Sequence, residues 1–101
     1  MQTMVEQFLQ TYGLHADVQT RYIDLVSEMG ELGKEILDST HYGKHAFSTN
    51  AQALDEMGDC LFSVLALCSA MNISAEDALN GALLKYTARH KQKGSIQSDK
   101  C

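Results

Sequence analysis

Proline is absent from this chain of 101 residues, and cysteine is scarce. Because proline interrupts helices, a chain without it can form long uninterrupted ones. The three cysteines, Cys60, Cys68 and Cys101, are an odd number without CxxC spacing, which argues against a disulfide framework. Cys60 and Cys68 lie within apolar sequence, so we expect them to be reduced, buried thiols in a cytoplasmic protein.

Positively charged residues and long apolar runs are also few. Lys and Arg number 8 against 13 Asp and Glu, which gives a formal net charge of −5 with neutral histidines. Nucleic-acid polymers select basic surfaces, so this balance argues against such a partner. The longest uncharged run, residues 60–75, is shorter than the ~20 apolar residues that span a bilayer. We therefore expect a soluble protein with no membrane partner.

The residues that are present form a helical pattern. Hydrophobic residues make up 45% of the chain and charged residues 21%, values typical of one globular domain. Apolar residues recur at helical spacing in four stretches, and suitable N-caps for the last three are Asp17, either Thr49 or Asn50, and Ser74. Residues 41–50 have no period and predict a loop. We expect a single all-α domain over residues 1–93 and a disordered tail over residues 94–101.

Two of the predicted helices carry apolar residues at alternating intervals of three and four, the spacing of a heptad. In the second helix the stripe contains Val18, Tyr22, Leu25, Met29, Leu32 and Ile36. In the third it contains Leu54, Met57, Leu61, Val64, Cys68 and Met71. A chain this short has little else with which to cover two wide stripes. We expect a helical bundle that is completed by homo-oligomerisation, as a dimer or a tetramer.

The same two helices each contain the pattern acid, Met, Gly, acid, as Glu28-Met29-Gly30-Glu31 and Glu56-Met57-Gly58-Asp59. Residues three apart project from one side of a helix, so each pattern presents two carboxylates together beside its apolar stripe. If the stripes pack against each other, the carboxylates meet at the boundary between the helices. Like charges repel there and a partly buried carboxylate is costly, so a positive charge is expected among them.

Glycine in a helix interior costs about 1 kcal/mol relative to alanine, and Gly30, Gly33 and Gly58 all lie beside the acids. We interpret them as sites of close backbone approach that also leave room for a ligand. Carboxylate oxygens without a soft ligand suit Mg²⁺, with Mn²⁺ as a substitute. Mg²⁺ in proteins usually shares its ligand shell with substrate phosphates, so the pattern predicts a phosphate-bearing substrate.

These motifs resemble those of the MazG family of nucleoside triphosphate pyrophosphohydrolases, which carry ExxE on one helix and ExxD on the next. A later Lys-Tyr-x-x-Arg element, Lys85 to Arg89, adds to the similarity, which covers residues 17–90. The resemblance implies a four-helix, all-α fold and hydrolysis of a (deoxy)nucleoside triphosphate to a monophosphate and pyrophosphate. Such an enzyme would serve nucleotide housecleaning or control of the dNTP pool.

The resemblance also implies roles for single residues. Four carboxylates would hold Mg²⁺, namely those of Glu28, Glu31, Glu56 and Asp59. Glu28 or Glu31 would also orient or deprotonate the attacking water and so act as the catalytic residue. Four further side chains are the candidates for binding the substrate, namely those of Lys85, Tyr86, Arg89 and Lys34.

Two other classes of protein remain open at this stage. A four-helix di-metal protein with bridging carboxylates would use Glu-x-x-His on two helices, and neither motif here ends in histidine. A non-catalytic helical dimerisation module would explain the apolar stripes but not the duplicated pattern of acid, Met, Gly and acid.

Overall fold

The computed structural model describes residues 1–93, which form four helices: α1 (Gln2–Thr11), α2 (Val18–Ser39), α3 (Ala51–Ala70) and α4 (Ala75–Lys93). Within this range there is no strand, so the predicted all-α fold is confirmed. Residues 41–50 form the loop that the sequence predicts between α2 and α3. The tail expected at residues 94–101 lies outside the described residues.

Side chains fix where the last three helices begin. The carboxylate of Asp17 accepts a hydrogen bond from the backbone N–H of Thr20 at 2.9 Å, and Oδ1 of Asn50 accepts one from Ala53 at 2.8 Å. Oγ of Ser74 accepts one from the N–H of Asp77 at 3.1 Å. Each bond satisfies a donor that the first helical turn leaves unpaired, so the local sequence determines these three boundaries.

The α2–α3 pair is the main helix contact of the chain, and α3 meets α2 through small residues. The buried residues of α3 are Ala53, Cys60, Ser63 and Ala66. On α2 most of the half-buried residues follow one line with intervals of four and three: Arg21, Leu25, Glu28, Leu32, Glu35 and Ser39. Two glutamates therefore occupy the line that faces α3.

Most residues of the predicted apolar stripes lie outside the contact between α2 and α3. Met29 on α2 is 58% exposed and Leu54 on α3 is 73% exposed. The wide apolar stripe of α3 is therefore largely uncovered in the single chain. The spacing of three and four residues is shared by several lines around a helix, so periodicity predicts the helix but not its rotation. The line of small residues on α3 faces inward, and the stripe of larger apolar residues remains uncovered.

The first helix packs on α3 and secures the turn that leads to α4. Val5 is buried, and the ring of Phe8 meets that of Phe62 edge to face at 5.7 Å between centroids. Nε2 of Gln2 donates to the carbonyl of Ile73 at 2.8 Å and to Oγ of Ser69 at 3.1 Å. Oε1 of Gln2 accepts from the N–H of Ala75, the first residue of α4, at 2.7 Å.

The fourth helix turns away from the others. Its axis makes an angle of 100° with that of α3, it contacts the remaining helices only sparsely, and none of its residues is buried. The radius of gyration is 16.6 Å, against about 13 Å for a compact domain of this length. Residues 1–93 therefore leave much apolar surface uncovered. No single helix in this range is long and apolar enough to cross a membrane, and α3 and α4 meet that test only as a bent pair.

We expect Gln2→Ala to lower the free energy of unfolding by about 1–2 kcal/mol, because it removes the side chain that caps α4 and bonds to the α3–α4 turn. Urea denaturation followed by circular dichroism measures the change. Gln7→Ala is the matched control, since Gln7 is an exposed glutamine on the same helix. Equal stability of the two variants would contradict a role for Gln2 at the α3–α4 turn.

Candidate metal centre

Three carboxylates from two helices converge where α2 faces α3. Oxygen atoms of Glu28, Glu56 and Asp59 all lie within 4.8 Å of one another. Glu28 belongs to the half-buried line of α2, and Glu56 is half-buried on α3, while Asp59 is exposed. Glu56 and Asp59 are three residues apart, so their side chains project from one side of α3. One acid of the α2 motif and both acids of the α3 motif therefore meet, although the apolar stripes whose packing the sequence argument assumed mostly do not.

No positive side chain in residues 1–93 forms an ion pair with these three carboxylates. Partial burial raises the pKa of Glu56 above its ordinary value. A hydrogen bond from Gln52 to Oε2 of Glu56, at 3.4 Å, lowers this pKa, whereas the charges of Asp59 and Glu31 raise it further. The cluster is therefore under net electrostatic repulsion, which a bound cation would relieve.

Glu31 lies beside the three-carboxylate cluster but outside it. Its charge acts on Glu56, and both residues line a cavity of about 180 Å³ between α2 and the start of α3. The other residues that line this cavity are Lys34, Glu35, Asp38 and Gln52. Larger cavities lie elsewhere, against α1 and near the α3–α4 turn. The cavity holds four carboxylates and one ammonium group, so Lys34 is the one cationic side chain that lines it.

The other predicted substrate-binding residues form a separate group on α4. Nζ of Lys85 lies 5.5 Å from the centroid of the Tyr86 ring, and Cζ of Arg89 lies 5.8 Å from it. These are cation–π distances, so the tyrosine holds two positive groups together. None of the three residues lines the cavity beside the carboxylates. In a single chain the predicted site is therefore divided between the α2–α3 pair and α4.

The glycines beside the acids agree with one part of what the sequence predicts for them, the open space, and not with the other. A Cβ atom added at Gly30, Gly33 or Gly58 would meet nothing within 4 Å. The interpretation that these glycines permit close backbone approach is therefore wrong for the single chain. They instead leave open space next to the carboxylates and along the exposed face of α3.

Sequence reasoning did not single out two residues beside the cluster, Asp38 and Gln52. Asp38 follows Glu35 by three residues, and Gln52 precedes Glu56 by four, so helical spacing alone could have found both. Cys60 is buried and directly follows Asp59. Burial raises the pKa of its thiol, and the nearby charge of Glu28 raises it further. Cys60 is therefore a neutral thiol, as expected for a structural cysteine.

The donor set at the cluster fits a hard divalent cation. All three side chains offer carboxylate oxygens, the ligands that Mg²⁺ and Mn²⁺ prefer. Three oxygens separated by at most 4.8 Å can reach one ion after small side-chain rotations. Glu28, Glu56 and Asp59 are the residues that would hold it, and Glu31 lies outside this group, although its charge acts on Glu56.

Comparison with known proteins identifies the family. Residues 17–93 match the MazG nucleotide pyrophosphohydrolase domain. The chain belongs to the MazG family. A similar protein is the uncharacterized protein YpjD of Bacillus subtilis (strain 168), which is 32% identical over 72 residues, or 68% of this chain. The match spans 63% of that protein's length. No solved structure matches the chain at a significant level.

The MazG domain of this chain contains both parts of the divided site. The matched segment begins at Asp17, the N-cap of α2, and ends at Lys93, the last residue of α4. It therefore includes the three-carboxylate cluster as well as Lys85, Tyr86 and Arg89. The first helix precedes the matched segment, although it holds the corner between α3 and α4.

We expect Glu56→Gln to raise the melting temperature of the metal-free MazG domain at neutral pH. The folded state raises the pKa of Glu56, so it holds that proton more tightly than the unfolded chain does. Protonation of Glu56 therefore stabilises the fold fully at pH values below the ordinary glutamate pKa near 4. This stabilisation is lost as the pH rises through the raised pKa of the folded state. Thermal unfolding in chelator between pH 3 and pH 7 measures the difference.

The difference in melting temperature between Glu56→Gln and the parent protein should shrink toward pH 3, where Glu56 is protonated in both the folded and the unfolded state. Added Mg²⁺ or Mn²⁺ should stabilise the parent and not the variant. Asp24→Asn, which removes an exposed charge of α2 outside the cluster, is the control. An advantage that is equally large at pH 3, or equal in the control, would contradict repulsion at the cluster.

Proposed function

We propose that this protein is a Mg²⁺-dependent pyrophosphohydrolase that converts nucleoside triphosphates, deoxynucleoside triphosphates in particular, to monophosphate and pyrophosphate. The observation that carries the proposal is the group of three carboxylates that has no cationic partner among residues 1–93, inside a MazG domain. A cytoplasmic role in nucleotide housecleaning or in control of the dNTP pool is part of the same proposal. Mn²⁺ is a plausible substitute for Mg²⁺ because it prefers the same ligands.

Each side chain near the cluster has a role that its position supports. Glu28, Glu56 and Asp59 hold the cation, which supplies charge neutralisation for the triphosphate and activation of water. Glu31 lies beside Glu56 on the exposed side, where it can orient the attacking water and accept its proton. Lys34 lines the adjacent cavity and offers an ammonium group to a phosphate oxygen.

The two competing classes receive less support. A carboxylate-bridged di-metal protein needs histidine ligands, and the ligand group found within residues 1–93 contains carboxylates alone. A dimerisation module without activity would have no use for three carboxylates that meet at a helix boundary without an ion-pair partner in residues 1–93, because their repulsion weakens the fold.

The direct test is an assay of pyrophosphate release from a panel of ribonucleoside and deoxyribonucleoside triphosphates with Mg²⁺. We expect release from the parent protein, loss of release in chelator, and a decrease of about 100-fold or more in kcat/KM for Asp59→Asn. Asp55→Asn is the matched control. It lies one turn away on the same helix, is exposed, and is not part of the cluster. No release by a folded sample from any nucleotide would contradict the proposed activity.

We also propose that the protein works as a homodimer or a homotetramer. The buried hydrophobic residues of the described chain are Val5, Ala53, Cys60 and Ala66, most of which are small. Larger apolar residues on the outer face of α3, such as Leu54, Leu61 and Val64, are at least 40% exposed. Apolar surface of this extent marks an interface, and a second copy carries the same stripe.

Light scattering coupled to size exclusion should give a mass that is a multiple of the 11.1 kDa of one chain. We expect Leu61→Lys to shift the protein to the monomer or to unfold it, because an ammonium group would lie in the interface. On a surface that stays exposed, the same change would alter stability by at most about 0.5 kcal/mol. Gln7→Lys adds the same charge on the exposed face of α1 as a control. A monomeric parent protein would contradict the proposal.

A further inference from the structure

Two of the four histidines of the chain form a pair in the loop between α2 and α3. The ring centroids of His41 and His45 are 4.7 Å apart, and the ring planes are inclined at 75°. Both residues are exposed, so burial of apolar surface does not account for the contact. Neither residue belongs to the three-carboxylate cluster or lines the acidic cavity beside it. The pair is therefore a separate group of side chains that can ligate a metal.

A buried threonine ties this loop to the last turn of α2. The hydroxyl of Thr40 donates a hydrogen bond to the carbonyl of Ile36 at 2.7 Å and accepts one from the N–H of Gly43 at 3.1 Å. The carbonyl of Thr40 accepts a further bond from the N–H of His45 at 2.9 Å. Hydrogen bonds from a single residue therefore fix the backbone on both sides of the turn, and they hold the two histidines at a set distance.

Two residues of the loop adopt backbone angles that favour glycine. The angle φ is 50° at His41 and 60° at Tyr42, and it is 88° at the glycine that follows. A positive φ is uncommon for residues other than glycine, and for a side chain as bulky as tyrosine it is an outlier. Such conformations persist where the surroundings hold them, and they cluster at ligand sites. Here they reverse the chain, which brings His45 beside His41 although neither residue is helical.

The distance between the two rings matches the distance that a shared metal ion requires. A bond from zinc to an imidazole nitrogen is about 2.0–2.1 Å long, which places the ion about 3.2 Å from the centre of the ring. When two such bonds meet at about 90–110°, the ring centres lie about 4.5–5.2 Å apart. The observed 4.7 Å falls within this range. The terminal torsion of histidine is broad, so a small rotation of each ring can turn a nitrogen toward the shared position.

We propose that His41 and His45 bind Zn²⁺, or another late divalent transition metal, through one nitrogen of each ring. Imidazole suits these metals, whereas Mg²⁺ prefers oxygen ligands, so the pair and the three-carboxylate cluster select different ions. Among residues 1–93, the carboxylate cluster is the one group of three or more ligands, so no third side chain joins the pair. Water or an exchangeable ligand fills the remaining positions, as at an open zinc site. The site does not depend on the proposed function.

Titration with zinc chloride tests the site without any need for activity. The protein is labelled with ¹⁵N-histidine, and NMR follows the ring nitrogens of each histidine in excess Mg²⁺, which occupies the carboxylates. We expect the signals of His41 and His45 to shift together and to saturate, while those of His15 and His90 stay in place. Zinc held by a thiol leaves these signals unchanged, and so would rings that only pack edge to face. Shifts at neither ring, at one ring alone, or at all four histidines alike would overturn the proposal.

Single substitutions test whether the two rings act as one site. We expect His41→Asn and His45→Ala each to weaken zinc binding at the remaining ring by about 100-fold, because the second ligand of a pair binds at high effective concentration. Asparagine tolerates a positive φ, so His41→Asn preserves the backbone of the loop, which circular dichroism and the amide spectrum verify. His15→Asn removes an exposed histidine outside the loop and is the matched control. Parental affinity in His41→Asn would overturn the proposal.

A variant of the carboxylate cluster shows whether the two sites are separate. Glu56→Gln should keep the parental zinc affinity at the histidine pair, because no atom of Glu56 belongs to it. Zinc binding at the pair in a protein that releases no pyrophosphate would uphold this site and reject the proposed function. Loss of zinc binding at the pair in Glu56→Gln would assign the ion to the carboxylates and overturn the proposal.

Discussion

Repulsion among carboxylates at the boundary of α2 and α3 is the constraint that organises this protein. Glu28 lies on the line through which α2 contacts α3, and Glu56 and Asp59 reach it from the other helix. A boundary built only for stability would place apolar side chains there. The acids weaken the pairing of two helices that otherwise meet through small residues, so a bound cation would contribute to both stability and chemistry.

The small residues of α3 explain how the acids can lie so close. Ala53, Cys60, Ser63 and Ala66 form the buried line of α3, and their short side chains add little apolar contact. The larger apolar residues, such as Leu54 and Leu61, remain on the outer face. The fold therefore divides its apolar surface in two: a thin layer supports the cluster, and a broad one is available to a second copy of the chain.

The exposed fourth helix bears on both the carboxylate cluster and the uncovered apolar surface. Its direction is set by the α3–α4 turn, where Asn72 adopts a positive φ of 57° and Gln2 bonds to both sides of the corner. That direction carries Lys85 and Arg89 away from their own carboxylates. Catalysis on a triphosphate needs charge on several sides of the phosphate chain, so the separation of these groups ties the proposed chemistry to assembly.

The sequence by itself determined the helices, because caps such as Asp17, Asn50 and Ser74 act within a few residues. It also determined that Glu56 and Asp59 project from one side of α3, since helical spacing fixes which side chains project together. Only the tertiary structure decided the rotation of each helix. That rotation places the small residues of α3 inward and leaves open space beside Gly58. It also decided the path of α4, because a turn of four residues sets the direction of a whole helix and no local pattern encodes that angle.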